Sequence, residues 1–576
     1  MANSSRYSPV LETSRIFSSL CDQAERLGLP SDVQVNKDRV SFSTSHNEIY
    51  YPIPFKETET LAALKGVEGA VAASLADLRF GAGSQPRGVQ VSLEGATAFG
   101  CQAYMAKIAG LSKLDPSVKS KLKDTDLLAA QSNQYRRMSA NLYKTKNPGE
   151  FYHIHGSLEA TTTLNMIGLE GHRPDLNDYE EIIKVIESHV QKYTVSELEE
   201  MNKERRQAGV SALKHEDFIK TPHGKLNVEE PAWKLDQLPG NLPPTPFPVN
   251  RTGSKKLLEG VKVLELCRII AGPTVTRILA EYGADVLKIT SPNLSDVPFF
   301  QVDGNMGKHA ADLDLKTEAG RQEFEKLLVD VDVIVDGYRP GALEKLGYGP
   351  KAVAALAEKR GKGIVYVNEN CFGYEGEWAG RAGWQQIADC VTGIAWAQGQ
   401  FMGHDHPVVP PFPISDYGTG CMGAIAALSG LYKRAKVGGS YHGKASLMHY
   451  DLLLFAMGQY SDEVKEELRA AQPAEFFKLR HCDSVDKISS TVLRGMQSRF
   501  PHLYIDPDTK AEGQKALTEK WFAHAYDAEI EVVRPVAVVA GVDNQFVRAS
   551  RPNGVDRPNW EDFKVNGEGE ADVKKA

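Results

Sequence analysis

The sequence predicts an α/β protein: a parallel sheet with helices on both faces. Two observations carry this. From residue 261 onward, short strand-like runs alternate with amphipathic patterns of helical length. The runs themselves are almost continuously apolar, as strands covered on both faces must be.

Before that region the pattern is mixed. IFSSLCDQAERLGL (16–29) has the spacing of an amphipathic helix, DRVSFSTSHNEIYYPIPF (38–55) reads as strands or irregular chain, and KETETLAALKGVEGAVAASLADLRFG (56–81) as one or two Ala-rich helices. GVQVSLEGATAFGCQAYMAKIAGL (88–111) is an alternating strand followed by a helix. FYHIHGSLEATTTLNMIGL (151–169) holds a short strand, a small-residue turn and a helix, and YEEIIKVIESHV and TVSELEEMNKERRQAG add two more helices. The proline-rich LDQLPGNLPPTPFPVNRTG (235–253) cannot continue a helix or central strand and marks a linker, placed at 241–254.

After it, VKVLEL is a strand, PTVTRILAEYG a helix from Pro273 to the stop at Gly283, and ADVLKIT a second strand. TEAGRQEFEKLLVDV, DVIVDGY, PGALEKLGYG and GIVYVNENCFG continue as helix, strand, turn with short helix, and strand. SDYGTGCMGAIAALSGLYKRAKVGG (415–439) reads as a Gly-punctuated turn running into an apolar helix that ends in cations, which its dipole favours. KASLMHYDLLLFAMGQY is a further buried helix.

Composition narrows the function. The chain has 576 residues, enough for two or more domains, and a formal net charge of -8, which gives no basic surplus for nucleic acid or a membrane surface. No segment has the length of a membrane span, the start has no signal-peptide core, and the terminal VKKA is no organelle address. The seven cysteines (Cys21, Cys101, Cys267, Cys371, Cys390, Cys421, Cys482) show no C-x-x-C pair and no zinc spacing. A cytoplasmic protein with reduced thiols is the expectation, with no metal. His153 and His155 share one face of a strand but lack a third ligand nearby, so structural or surface roles are expected for them.

Asp416 follows the proline-rich PVVPPFPIS and precedes YGTGC. It reads either as an N-cap of the helix or as a nucleophile, with Gly418 and Gly420 admitting a planar substrate and offering amides to an oxyanion. Ala271-Gly272-Pro273 gives a tight turn into a helix whose free amides suit a phosphate or carbonyl, without the glycine spacing of a dinucleotide site.

VLELCRIIAGPTVTRILAEYGADVLKIT resembles the opening signature of the family III coenzyme A transferases, the CaiB/BaiF family. Three blocks resemble that family in order: NMGKHAADLDLKTEAG (305–320), VDVIVDGYRPGALEKLGYG (331–349) and SDYGTGCMGAIAALSGLYKRAKVGG, the block that carries the family's aspartate. The clear resemblance runs from about 255 to 455. It implies a doubly wound sheet with a smaller α+β domain in an interlocked architecture. It also implies transfer of CoA from an acyl-CoA to a small carboxylic acid, with Asp416 forming first an aspartyl anhydride and then an aspartyl-CoA thioester. CoA enters as substrate, and no tightly bound cofactor is needed.

The resemblance further assigns Arg268, Ile269, Ile270 and Ala271, together with Leu313, Lys316, Arg339 and Lys345, to the CoA side, with Lys288 and Lys308 as electrostatic contributors. Trp384 and Gln385, with Gly418 and Gly420, belong to the acyl pocket. Arg381 and Arg268 are candidates for a second substrate carboxylate. The family's racemases have G-H-D where this chain has Gly383-Trp384-Gln385. Neither Trp384 nor Gln385 is a general base, so a racemase or isomerase is the lesser reading. A non-catalytic CoA-binding protein is the third. Departures from the family pattern are Glu265 in L-E-L, Thr290 at a strand end that usually carries an acid, His309, and Gly337-Tyr338 before Arg339.

Residues 88–240 resemble the later part of a family member. The implied arrangement is a fused tandem: 1–240 a degenerate half with a small domain, 255–480 the catalytic domain, 481–576 a returning segment. One chain would form a pseudo-dimer, or two a homodimer. An unrelated N-terminal regulatory domain is the alternative.

Overall fold

The computed structural model describes residues 7–83, 85–249 and 253–565; the initial MANSSR and the terminal VKKA lie outside them. The first half is organised around one helix, α1 (Glu57–Phe80), in which every residue from Glu57 to Ala72 is buried. Ala and Gly make this possible by letting neighbours approach closely: a Cβ on Gly69 would lie 2.5 Å from Val89 Cγ1. The Ala-rich stretch is thus a single helix, and a central one.

Strands β1 (Ala140–Lys144) and β2 (Phe151–His155) pair antiparallel and, with Val210–Ser211, make a small three-stranded sheet. Helices including Tyr179–Val190 pack on it around Tyr143, Ile154 and Ile186. The strand β3 (Trp233–Gln237) takes the first residues of the stretch expected to be linker. Residues 238–249 run without helix or strand, tied down where the Thr245 amide donates to the Arg434 carbonyl.

The second half holds β4 (Lys262–Leu266), α2 (Ala271–Glu281), β5 (Asp285–Thr290), β6 (Lys308–Asp312), α3 (Glu318–Leu328), β7 (Val333–Asp336), α4 (Pro350–Arg360), β8 (Val365–Asn370), α5 (Gln385–Thr392), α6 (Ile414–Lys436), β9 (Tyr441–Ser446) and α7 (Leu447–Met457). The strands form one sheet in the order β6-β5-β4-β7-β8-β9-β3. All neighbours are parallel except β3, which pairs antiparallel with β9 from across the proline-rich stretch. Alternate residues divide between the two faces. Val263, Val286, Val333 and Val365 share a core with residues of α2 and α6, while Leu264, Leu287, Ile334 and Tyr366 share one with residues of α3 and α4. The expected α/β class is present, as a mixed sheet.

Several boundaries differ from the sequence reading. The helix after β4 starts at Ala271, not Pro273. SDYGTGC is no turn: α6 is helical from Ile414 and its glycines face neighbours, a Cβ on Gly418 falling 2.0 Å from the Tyr450 ring. KAS closes β9, and α7 begins only after Ser446, whose hydroxyl accepts the His449 amide. Strand β6 carries a lysine and a histidine among small residues and so lacked an apolar signal; Lys308 is tolerated because it pairs with buried Glu265.

The returning segment does not simply rejoin the large sheet. Ala528–Val533 pairs with Lys107–Ile108, and Ala537–Val539 pairs with Val89–Ser92, stitching the C-terminal part to the first half. Between the halves lies a buried ionic network. Lys65 Nζ donates to Glu68 at 2.6 Å, Tyr282 Oη donates to Glu68 at 3.0 Å, and Arg277 joins Glu281 to Asp303. Among the described residues no helix is long and apolar enough to cross a membrane.

Candidate active site

Two structural supports aim the site. Under the start of α2, the Glu265 carboxylate accepts from Lys308 Nζ at 2.7 Å and Thr276 Oγ1 at 2.6 Å, with Lys288 Nζ at 3.4 Å. Lys308 Nζ also donates to the Pro273 carbonyl at 2.8 Å. Burial lowers the Lys308 ammonium to about 8 against the pull of Glu265. These lysines hold β4, β6 and α2 together, so the glutamate that departs from the family's L-D-L has a defined task. Above them the loop turns sharply: Ile269 has φ +70°, a costly conformation for a β-branched residue, and it occurs where the loop lines the site.

Asp416 stands in the first turn of α6. Pro413 occupies the N-cap position, and no side chain caps the helix, so the capping role available to Asp416 is not the one it takes. Its side chain instead lines two cavities of about 510 and 340 Å³. Both also touch Ile269, Ile270, Ser157 and Trp384, so Asp416 belongs to the partition between them. Trp384 is held there by its indole N–H, which donates to Ser157 Oγ at 2.9 Å, and by stacking on His155 with ring centroids 5.7 Å apart.

The surroundings are acidic. Burial first, then the carboxylates of Glu369 and Asp389, push Asp416 well above the ordinary carboxylate range. Glu369, at the carboxyl end of β8, is itself pushed up to about 8 by burial and by Asp336. Asp389 is raised by burial despite accepting from Ser415 Oγ at 3.0 Å and from Gln385. Burial, with His153 and Arg137 nearby, holds His155 neutral at physiological pH. The Ser157 amide donates to His155 Nδ1 at 2.9 Å, which leaves the ring proton on Nε2.

The smaller cavity gathers Arg268, Ile269, Ile270, Ala271 and Arg339, all residues that the motifs named, and adds Arg381. Arg268 donates to the Ser295 carbonyl and lies over the Tyr338 ring; Arg381 donates to the Gly209 carbonyl and pairs with Glu199 at 3.1 Å. Trp384 and Gln385 line the larger cavity. Other predicted residues lie elsewhere. Gly418 and Gly420 touch neither cavity: both sit within α6, Gly418 against Tyr450 and Gly420 against Thr274 of α2, which is a helix-packing role. Leu313 packs into the core shared with α3 and α4, while Lys316 and Lys345 are exposed and line neither cavity. His153 and His155 are buried, not on the surface, and His155 forms part of the larger cavity's wall. Among the described residues, His46, Glu94 and His502 are close enough to share an ion, but Glu94 already accepts from Thr44, Ser45 and Tyr50 and the two imidazoles stack.

The sequence reading missed Glu369, Asp389, Lys113, Arg137 and Asp486. A signal existed for Glu369: an acid at the carboxyl end of a parallel strand, where ligands of such sheets bind. Nothing marked the others, which come together only in three dimensions.

Comparison with known proteins agrees with this geometry. Residues 258–478 match the family model described as CoA-transferase family III. An acetyl-coenzyme A transferase, nodX, of Hypoxylon pulicicidum is 32% identical over 529 residues, covering 88% of this chain and 86% of that protein. An acyl-CoA transferase of Gibberella moniliformis is 34% identical over 411 residues, 70% of this chain and 71% of its own. The chain belongs to the family III CoA-transferases. A more distant member, the succinyl-CoA:glutarate CoA-transferase of Homo sapiens, is 31% identical over 195 residues, 32% of this chain and 43% of that one. This family III enzyme is therefore a CoA-transferase whose similarity to the fungal relative extends well beyond the segment the family model matches.

Proposed function

We propose that Asp416 is the nucleophile through which this enzyme moves CoA from an acyl-CoA to a carboxylic acid. The observation that carries the reading is its place in the partition between two cavities, one lined by arginines and one lined largely by apolar groups. The CoA nucleotide lies on the side of Arg268, Arg339 and Arg381, whose guanidiniums suit phosphates. The acyl group and the acceptor acid occupy the larger cavity against Trp384.

The Asp416 carboxylate attacks the thioester carbonyl, the C–S bond breaks, and CoA leaves as the thiolate. The thiolate then attacks the aspartyl carbon of the anhydride, releasing the donor acid and leaving an aspartyl-CoA thioester. The acceptor carboxylate attacks that thioester and expels the thiolate. Attack of the thiolate on the acceptor carbonyl yields the new acyl-CoA and regenerates the Asp416 carboxylate. Electrons and charge balance without redox change, and each breaking bond is matched by one of similar energy. The attacking form is ionised, and the α6 dipole favours it while burial and Glu369 oppose it. Transfer therefore rises with pH as Asp416 loses its proton. A racemase reading lacks the histidine that acts with the aspartate: His155 presents N–H toward the cavity side, and neither Trp384 nor Gln385 is a general base.

We further read the chain as a fused tandem on a doubly wound catalytic domain, with 1–240 a degenerate half, 241–254 a connector, 255–480 catalytic and 481–576 returning. In support, residues of the first half wall the larger cavity, so one chain supplies both sides of a single site. The test is mass spectrometry of the intact protein and its peptides after incubation with a panel of acyl-CoAs and trapping with hydroxylamine or borohydride. Modification at Asp416, absent in Asp416→Ala and coupled to CoA transfer when an acid is added, is the expected result. Transfer that survives Asp416→Ala overturns it.

A further inference from the structure

The larger cavity contains a cation that the transfer chemistry leaves without work. Arg137 ends the short helix Gln134–Arg137 and lines this cavity together with Asp416. Its neighbour Arg136 is engaged, donating to the carbonyls of Leu128 and Gly171 and to Thr161 Oγ1. Among the described residues the Arg137 guanidinium makes no hydrogen bond. Its one ion pair is long, 3.7 Å from Nε to Asp486 Oδ2, and the other oxygen of Asp486 is already taken by Lys113 Nζ. Two cations thus share one carboxylate. The remaining charges of this wall are otherwise engaged: Asp126 accepts the amides of Ala130, Gln131 and Ser132, Asp124 accepts that of Asp126, and Lys119 donates to the Ser132 carbonyl.

The Arg137 side chain is partly exposed, and its unused donors are open to an acceptor that enters the cavity. The space in front of it is large and partly apolar, with Leu114, Val118, Phe299 and Phe300 among its walls. About 510 Å³ lies within the range of pockets that enclose whole small molecules, roughly 300–1,000 Å³, so an acyl group of two carbons leaves most of it empty.

We propose that Arg137 is a specificity-determining residue that receives a second anionic group of the acid substrate, so that the enzyme favours acids with an apolar stem and a carboxylate at each end. This rests on the reading of the larger cavity as the acyl and acceptor side. One carboxyl reacts at Asp416 while the other pairs with Arg137; Lys113 offsets Asp486, so the group of Arg137, Lys113 and Asp486 keeps one positive charge for the arriving anion. The receptor comes from the first half of the chain, outside residues 258–478, so substrate choice and CoA handling are written in different parts of the sequence.

The experiment uses the full-length enzyme and variants Arg137→Gln and Arg137→Lys, with adipate and hexanoate as matched acceptors and acetyl-CoA as donor. The wild type is expected to use adipate with the higher kcat/KM. Arg137→Gln should lower the ratio of adipate to hexanoate kcat/KM by about 10- to 100-fold, the worth of a charge-assisted pair, chiefly through KM, with partial recovery in Arg137→Lys. An equal fall for both acids, or a wild-type preference for hexanoate, overturns the proposal. Calorimetric binding of the two acids to the same proteins separates this from the transfer mechanism. If no acid accepts CoA yet adipate binds more tightly than hexanoate in an Arg137-dependent manner, the anion receptor stands and the transfer reading fails. Equal binding in all three proteins sinks the receptor whatever the transfer assay shows.

Discussion

The two cavities that meet at Asp416 draw on different parts of the chain. The arginine-lined one is built mainly from the segment between Arg268 and Leu447, with four residues of the first half at its rim. The larger one takes about half its wall from residues 104–158. The difference teaches that the segment matching the family model holds Asp416 and the three arginines, while the preceding residues supply about half the wall of the larger cavity, which on the proposed reading receives the acyl group and the acid. Such a division allows the acid to change without disturbing the motifs.

The strongest way to break this arrangement is to separate the halves. Replacing Lys65 by Met leaves Glu68 buried without its cation and Glu281 with Arg277 alone, and loss of about 3–5 kcal/mol is expected in denaturant unfolding. Cutting within 239–248 should yield no independently folded fragment, because β3 sits in the large sheet and Ala537–Val539 sits beside Val89–Ser92.

A smaller effect follows from pH. Burial raises Glu57 to about 8 and Glu59 to about 7, above their unfolded values. Between those limits the folded protein binds protons that the unfolded chain has released, so stability falls as pH rises, by roughly 1.4 kcal/mol per unit for each such group. Buried histidines such as His153 and His449, lowered to about 4 and about 3, act in the opposite direction, but only below the unfolded histidine value. The melting midpoint should therefore drop from pH 6.5 to 8, and a midpoint that climbs over that interval would contradict the assignment of these buried carboxyls.

Arg381→Ala sharpens the comparison between cavities. It should raise KM for the acyl-CoA by about 10-fold and affect the acceptor acid much less; equal effects on both would mean that the cavities are not divided by substrate. At the bottom of the scale, Lys316→Ala and Lys345→Ala change exposed residues that line neither cavity, and stability should move by no more than about 0.5 kcal/mol with CoA-transfer kinetics unaltered.

Legibility in the sequence followed the range of the interactions. Strands β4, β5, β7 and β8 announced themselves because parallel strands buried on both faces are nearly all apolar. Strand β6 did not, since Lys308 becomes acceptable only once Glu265 is beside it. Asp416 was found through its motif, yet YGTGC was misread because glycines that let α6 touch Tyr450 and α2 look locally like a turn. Arg268 and Arg339 lie next to motif residues and could be named. Arg137 and Asp486 are far apart in sequence and share a wall only after the halves have closed, so no local pattern marked them. Lys316 and Lys345 show the converse: proximity to a motif did not bring a side chain to the site.

Helix α1 has a consequence for the making of the protein. Its first sixteen residues are covered in the finished molecule, and a large part of that cover comes from α6, which leaves the ribosome only after more than three hundred further residues. Until then the emerging chain carries a long greasy helix whose Lys65 and Glu68 have each other but whose α6-facing side is open. Nascent chains stalled before residue 414 should depend on holding chaperones, and the completed chain should not.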